Sequence, residues 1–256
     1  MVKVKDIIAE VEKIAPPELA EEWDNSGLQL GNPDRVVKKL LVAVDVTRCS
    51  ATAWAVADKF DMIVSHHPLI FHGVKNIVKG DVLSDKIIDL IKGIVAVYSA
   101  HTTYESAVGG VNDILASKLG LCNTKPLGNM GRIGELPNDM TAKRFCKSVS
   151  EALSGDYTCL YGDKNKRVRR IAVCGGAGSF LINDALAEKA DLFVTGDLKH
   201  HEIIDAVDAG MVLIDAGHYA TEAPAMEDLA ERLRELFPDV RVEFVPTYLI
   251  HETVTM

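Results

Sequence analysis

Two adjacent histidines, His66 and His67, directly follow a short apolar segment of strand length. Adjacent side chains on an extended segment point to opposite sides, so each imidazole can serve a different metal ion. Pro68 restricts the turn that follows them. The pair taken alone is also compatible with exposed or capping histidines, so its meaning depends on the residues that the fold brings near it.

A His-x-x-x-Glu spacing occurs twice, as His101 with Glu105 and as His218 with Glu222. Where such a segment begins a helix, residues four apart share one face, and the imidazole and the carboxylate converge. Gly217 allows a tight strand-to-helix turn before the second pair. Each pair alone is equally compatible with a surface hydrogen bond. Because a carboxylate can bridge two divalent ions and an imidazole cannot, the two spacings together with the adjacent histidines favour a two-metal site.

Alternating strand and helix patterns predict an α/β fold with mostly parallel sheets and helices packed outside them. Short segments that are mostly apolar predict six main strands: Leu40–Val46, Asp61–Val64, Ile94–Ser99, Arg170–Val173, Asp191–Thr195 and Met211–Asp215. Ligands of parallel α/β sheets bind beyond the carboxyl ends of the strands. Six of the eight histidines lie at predicted strand ends or in the loops that follow them: His66, His67, His72, His101, His200 and His218.

The chain also shows signs of an internal duplication. Residues 55–67 align with residues 185–197, because each stretch has a helix, then an aspartate, then an apolar strand. Residues 94–105 correspond in the same way to residues 211–222, and each stretch ends in His-x-x-x-Glu. The order of features is the same in both halves, although generic similarity among α/β proteins is an alternative explanation.

The duplication predicts two similar α/β halves, residues 1–125 and 126–256, which form one compact unit with the metal site in the cleft between them. A linker is expected within Cys122–Asp139, where glycine and proline cluster. His251, near the end of the chain, falls outside the strand-end pattern.

The composition excludes several classes of protein. The 256 residues are 48% hydrophobic and 25% charged, as in soluble globular proteins, and the net charge of −9 argues against a nucleic-acid-binding surface. Five scattered cysteines without a CxxC pair indicate reduced thiols in a cytoplasmic protein. The charged N-terminal segment does not resemble a signal peptide, and no apolar run is long enough to predict a membrane span.

Three other segments carry weaker signals. Cys174–Ser179 is a glycine-rich turn that either presents N–H groups to an anion or serves as a tight turn. Thr195–Glu202 is expected to line the cleft or to support the ligands through hydrogen bonds. Trp23–Gly27 predicts a polar turn with a buried aromatic anchor, in which Asp24 and Asn25 either reach a substrate or serve the turn. A nucleophilic serine or cysteine motif is absent from the sequence.

These motifs together resemble the NIF-three-like family of dinuclear-metal proteins, often labelled GTP cyclohydrolase I type 2 homologs. The resemblance spans nearly the whole chain, in the family's order. It rests on the segments Trp23–Gly31, Val44–Thr47, Ser65–Phe71, Ser99–Glu105, Thr195–Glu202 and Asp215–Glu222. It implies two α/β halves facing each other, a pair of divalent metal ions in the cleft, and assembly as a homohexameric ring.

Carried over by motif, the resemblance implies the metal ligands His66, His67, Glu105, His218 and Glu222. Glu105 departs from the family's usual aspartate, and Thr103 replaces an asparagine of the same motif. Glutamate keeps the charge but adds a methylene, so the bridging distance or the preferred metal is expected to differ. His101 is placed at the site either as a ligand or as a group behind the ligands.

Two divalent ions bound by histidine and carboxylate lower the pKa of a bridging water, which suits hydrolysis of a phosphate ester, an amide or a purine ring. We expect a metal-bound hydroxide as the nucleophile and His101 as the proton shuttle. The family label implies a small-molecule substrate, a nucleotide such as GTP. The same ligands would serve a non-catalytic metal chaperone, store or regulatory scaffold. Zinc, iron, manganese and cobalt all accept such mixed ligation.

Overall fold

The computed structural model of the protein describes residues 1–154 and 157–247, so His251 lies outside the described residues. Its strands are β1 Gly27–Leu30, β2 Lys39–Ala43, β3 Met62–Ser65, β4 Ala96–Ser99, β5 Cys122–Leu127, β6 Gly131–Thr141, β7 Cys159–Tyr161, β8 Arg167–Val173, β9 Leu192–Thr195, β10 Val212–Asp215 and β11 Arg241–Val245. Its α-helices are α1 Val4–Ile14, α2 Ala53–Ala57, α3 Val82–Gly93, α4 Thr102–Ser106, α5 Val111–Lys118, α6 Ala142–Leu153, α7 Ile182–Ala187, α8 His200–Asp208 and α9 His218–Leu236.

The strands form two sheets, which confirms the predicted α/β fold class. The first sheet has the order β1-β4-β3-β2-β11, and all its neighbouring pairs are parallel except β1 with β4. The second sheet has the order β5-β6-β8-β9-β10-β7, with β8, β9 and β10 parallel and the other three strands antiparallel to their neighbours. The six predicted strands are present as β2, β3, β4, β8, β9 and β10.

The two sheets repeat one arrangement of strands. In the first, β2, β3 and β4 are adjacent and parallel, and in the second β8, β9 and β10 are arranged in the same way. An antiparallel strand then follows on the same side, β1 beside β4 and β7 beside β10. The predicted duplication therefore has a structural counterpart, which includes β3 and β4 with their equivalents β9 and β10 and extends to a parallel and an antiparallel neighbour in each sheet.

The expected linker within Cys122–Asp139 is wrong, because these residues belong to the antiparallel strands β5 and β6. β5 lies at the edge of the second sheet and is exposed along most of its length. An edge strand tolerates Pro126, which has no N–H to donate to a further strand. Its polar, proline-containing sequence therefore lacks the apolar pattern by which the other strands were predicted.

The described residues group into two compact units. The first unit comprises Met1–Ala107 and the described part of Met226–Ile250, and the second lies within Val108–Ala225. This division differs from the predicted one at residues 125 and 126, since β11 pairs with β2 and so joins the first sheet. The second boundary, between Ala225 and Met226, falls inside α9.

Helices and loops cover both faces of the parallel strands, which explains their continuous apolar sequences. In β9, Leu192 and Val194 contribute to one hydrophobic cluster, while Phe193 contributes to another. The first sheet has a comparable cluster, to which Leu41 of β2 and Ile63 of β3 contribute. Within the described part of the chain, no helix is both long and apolar enough to cross a membrane.

Candidate functional site

Three histidines of the first unit converge at the carboxyl ends of two neighbouring parallel strands. His66 and His67 follow β3, and His101 follows β4. Ser65 and Ser99, the last residues of these strands, are register partners, so the strands end at the same level of the sheet. One ring nitrogen of each histidine lies within 4.8 Å of the others, a spacing at which three imidazoles can share a metal ion.

Each of these histidines has its Nδ1 atom hydrogen-bonded to an oxygen. The partners are the Ala100 carbonyl for His66 at 2.9 Å, the Asp45 carboxylate for His67 at 2.8 Å and the Asp24 carboxylate for His101 at 2.8 Å. Carbonyl and carboxylate oxygens accept hydrogen bonds, so Nδ1 carries the proton and Nε2 of the neutral ring keeps its lone pair. Metal-bound histidines are oriented in this way by the groups behind them.

Asp24 supports His101 and is shielded from solvent. Burial raises the pKa of its carboxyl group, but hydrogen bonds from His101, Ser26 and Thr102 outweigh burial and hold the pKa well below its usual range. The distances to its Oδ2 are 2.6 Å from Ser26 Oγ and 2.7 Å from Thr102 Oγ1. The two predicted roles of Asp24 are contact with a substrate and support of the turn. The structure favours support of the turn, and it also places Asp24 behind the site histidine His101. The predicted buried anchor is wrong, because Trp23 is 58% exposed.

Glu105 lies on α4, and its carboxylate points toward His66 of the same unit. The distance from Glu105 Oε1 to His66 Nε2 is 3.6 Å, longer than a good hydrogen bond. His66 is fully buried, and the Glu105 side chain is 13% exposed. A carboxylate oxygen and an imidazole lone pair at this separation form a donor pair for a divalent cation.

The second unit carries a histidine and a carboxylate at the start of α9, directly after β10. His218 Nε2 lies 3.1 Å from Glu222 Oε1, which is the pairing expected from the spacing. His218 Nδ1 lies 2.7 Å from Asp197 Oδ2. Burial lowers the pKa of His218, but the two carboxylates outweigh it and raise the pKa to about 9. The electrostatic field at this position therefore favours a positive charge.

Glycine in the Cys174–Ser179 turn gives Glu222 its space. A Cβ atom on Gly176, whose φ is +60°, would overlap Glu222 Oε1 and lie 3.2 Å from His218 Nε2. The N–H groups of Gly175, Gly176 and Gly178 donate to the side chains of Asn112, Thr221 and Thr195 respectively. Since these three donors are already used within the protein, the geometry favours the tight turn over the anion site.

The remaining strand-end histidines do not join these clusters. His72 is exposed beside Phe71, and His200 and His201 are exposed on α8. The sequence interpretation missed Asp45 as the partner of His67, although it follows β2 at the same edge of the first sheet. Asp197 lies in the Thr195–Glu202 segment, which is predicted either to line the cleft or to support the ligands, and its hydrogen bond with His218 is of the second kind.

The model of the family Duf34/NIF3 (NGG1p interacting factor 3) matches residues 2–250. The chain belongs to the DUF34/NIF3 family. This confirms the resemblance found from the motifs. One relative, from Clostridium perfringens, is named GTP cyclohydrolase 1 type 2 homolog and is 34% identical over 251 residues, 95% of each chain.

Two solved structures of similar proteins extend this comparison. A Bacillus cereus protein related to NIF3 is 24% identical with a TM-score of 0.92, covers 100% of this chain and 99% of its own, and so supports the DUF34/NIF3 fold. Reduced HcgD from Methanocaldococcus jannaschii is 33% identical with a TM-score of 0.82, and the match covers 95% of this chain and 97% of that one.

Proposed function

We propose that this DUF34/NIF3 protein binds two divalent metal ions and is a metal-dependent hydrolase of a small molecule. The proposed ligands are His66, His67, Glu105, His218 and Glu222. A nucleotide is the proposed substrate, because relatives of this chain are named GTP cyclohydrolase 1 type 2 homologs. Assembly as a homohexamer stays a prediction from the family resemblance.

The observation that carries the proposal is the orientation of the imidazoles. Nδ1 of His66, His67 and His218 is hydrogen-bonded to a carbonyl or carboxylate oxygen in each case. Asp45 and Asp197 would raise the basicity of His67 and His218 as metal ligands and fix their ring positions, and the Ala100 carbonyl would fix the ring of His66. Glu105 and Glu222 then supply the negative charge that a pair of divalent ions requires.

His101 is suited to moving a proton during hydrolysis. Its Nδ1–H donates to Asp24, so its Nε2 can accept a proton from a water or return one to a leaving group. The shielded Asp24 carboxylate would stabilise the imidazolium that forms. Bound divalent ions supply Lewis acidity and lower the pKa of a coordinated water. Zinc, iron, manganese and cobalt all suit this donor set.

A non-catalytic metal chaperone, store or regulatory scaffold would use the same donors. The two functions differ in one requirement, since catalysis needs a coordination position that water or substrate can occupy and storage does not. Turnover by the metal-loaded protein therefore separates them.

The test compares the natural protein with Glu222→Ala after reconstitution with zinc, manganese, iron or cobalt. Glu231→Ala is the matched control, because it removes an exposed carboxylate from the same helix. Elemental analysis is expected to give two metal ions per chain for the natural protein and the control, and fewer for Glu222→Ala. Turnover of GTP or of a generic phosphodiester is expected to follow the metal content. Full metal content without turnover of either substrate would favour the storage function, and fewer than two ions in the natural protein would refute the two-metal proposal.

A further inference from the structure

An exposed pair of aromatic side chains lies beside the histidine cluster of the first unit. Trp23 is 58% exposed and Phe71 is 41% exposed. Their ring centroids are 5.9 Å apart, with the ring planes tilted by 38°. Aromatic side chains of this size stabilise a fold mainly when they are buried, so folding alone does not explain their exposure.

Hydrogen bonds hold the two loops that carry these rings together. Asn25 Nδ2 donates to the carbonyl of Ile70, and the N–H of Ile70 donates to Gln29 Oε1 at 2.9 Å. Gln29 Nε2 in turn donates to the carbonyl of Asn25 at 2.7 Å. Phe71 directly follows Ile70, and Trp23 lies two residues before Asn25. These hydrogen bonds fix the two loops against each other, and the loops in turn position the two aromatic rings.

The pair also borders a residue of the candidate site. The centroid of His101 lies 5.8 Å from that of Trp23 and 5.9 Å from that of Phe71, with both rings in edge contact with the imidazole. His101 itself is only 7% exposed, whereas both aromatic rings that border it are exposed.

We propose that Trp23 and Phe71 form an aromatic platform that recognises a planar aromatic or heteroaromatic ring in the substrate. The proposal rests on the proposed function, because it assigns a substrate class to the same site. Stacking on an aromatic side chain depends on the π-face of the ligand and tolerates different ring types. The platform would hold the ring of the substrate while the scissile group lies toward His101.

The test measures fluorescence of Trp23, because the chain contains only one other tryptophan, Trp54. The Trp54→Phe variant makes Trp23 the single reporter, excited at a wavelength that the ligands do not absorb. Two pairs of probes differ by an aromatic ring: phenyl phosphate with methyl phosphate, and guanosine monophosphate with ribose 5-phosphate. Each probe is titrated into metal-loaded and metal-stripped protein.

The ring-bearing probes are expected to change Trp23 fluorescence saturably in both forms, and to bind at least threefold more tightly than their ring-free counterparts. Phe71→Leu is expected to weaken their binding by about threefold to tenfold. Phe180→Leu is the matched control, because Phe180 is an exposed phenylalanine of the second unit, and it should leave binding unchanged.

Equal binding of probes with and without the ring, or equal effects of the two leucine variants, would overturn the platform. A change of oligomeric state in Phe71→Leu without a change in ring binding would assign the pair to a contact between copies instead. If the protein bound no metal ions but still bound the ring-bearing probes more tightly, the proposed function would be refuted and the platform retained. If it bound two metal ions per chain but showed no preference for the ring, the platform would be refuted and the proposed function retained.

Discussion

The imidazole of His67 and the carboxylate of Asp45 are joined by a hydrogen bond of 2.8 Å between Nδ1 and Oδ1. The other oxygen of Asp45 accepts a hydrogen bond of 2.9 Å from Thr247 Oγ1. Residues from three distant parts of the sequence thus determine how one imidazole is oriented. Since Nδ1–H donates its hydrogen bond to the carboxylate, Nε2 is the atom available to a metal ion.

Asp45→Asn is expected to weaken metal binding by about 10- to 100-fold, because the neutral amide no longer supports the His67 ring electrostatically. Affinity is measured by competition with a chromophoric chelator. Asp34→Asn serves as the control, since Asp34 is an exposed aspartate that pairs with Lys5. Equal affinities in the two variants would mean that Asp45 has no part in holding a metal ligand.

Glu105→Gln and Glu105→Asp separate the charge of this side chain from its length. The glutamine variant keeps the size and loses the charge, so its metal affinity is expected to fall at least tenfold. The aspartate variant keeps the charge and is expected to bind two ions, with a changed order of preference among zinc, manganese, iron and cobalt. Elemental analysis after loading with equimolar metals measures both the number of bound ions and the preferred metal in each variant. Full loading of Glu105→Gln would remove Glu105 from the ligand set.

The Asp113 and Arg132 side chains of the second unit form a two-point ion pair, at 2.6 Å from Nε to Oδ1 and 3.0 Å from the guanidinium to Oδ2. Burial raises the pKa of Asp113, but Arg132 and the N–H of Gly109 outweigh it, so the net pKa is lowered. A lowered folded-state pKa contributes stability that is present above the unfolded-state pKa and disappears as the pH falls through the folded-state value.

Asp113→Asn is therefore expected to lower the free energy of unfolding by about 2 to 3 kcal/mol at pH 7, because Arg132 stays buried without its charged partner. The difference from the natural protein should begin to shrink as the pH falls below about 4, near the unfolded-state pKa, and should vanish only below the lowered folded-state pKa of Asp113. Urea denaturation across this range measures it. Asp139→Asn removes the exposed partner of Arg167 and should change stability by less than about 1 kcal/mol. A pH-independent loss in Asp113→Asn would contradict the ion-pair explanation.

The parallel strands and the histidines after them could be predicted because their signals are local. Strands buried on both faces have continuous apolar sequences, as β3 and β9 do. The His-x-x-x-Glu spacing at His218 needs only the period of a helix to bring Glu222 to the same face, and the two side chains do pair.

Other parts of the fold depend on contacts between distant residues, for which the sequence carries no local pattern. β11 is assigned to the first sheet only by its pairing with β2, and the mostly exposed β5 only by its pairing with β6. The partners of the site histidines are similarly distant, since Asp24 precedes His101 by 77 residues and Asp45 precedes His67 by 22. Glu105 is a further example of a contact that local sequence does not predict. Its spacing predicts a pair with His101, whereas the fold directs its carboxylate toward His66.

Gly176→Ala tests whether the glycine-rich turn exists to admit the Glu222 carboxylate. The new Cβ atom would overlap Glu222 Oε1 and crowd His218 Nε2, so we expect metal affinity to fall at least tenfold through displacement of both side chains. Alanine at a φ of +60° also costs about 1 to 2 kcal/mol of stability, which by itself has no effect on metal binding.

Gly210→Ala separates the two effects, because Gly210 has a φ of +83° and a Cβ atom added there would meet no heavy atom within 4 Å. We therefore expect Gly210→Ala to lose similar stability in thermal unfolding but to keep its metal ions. Equal metal loss in both variants would show that backbone strain, and not the space beside Glu222, explains the glycine.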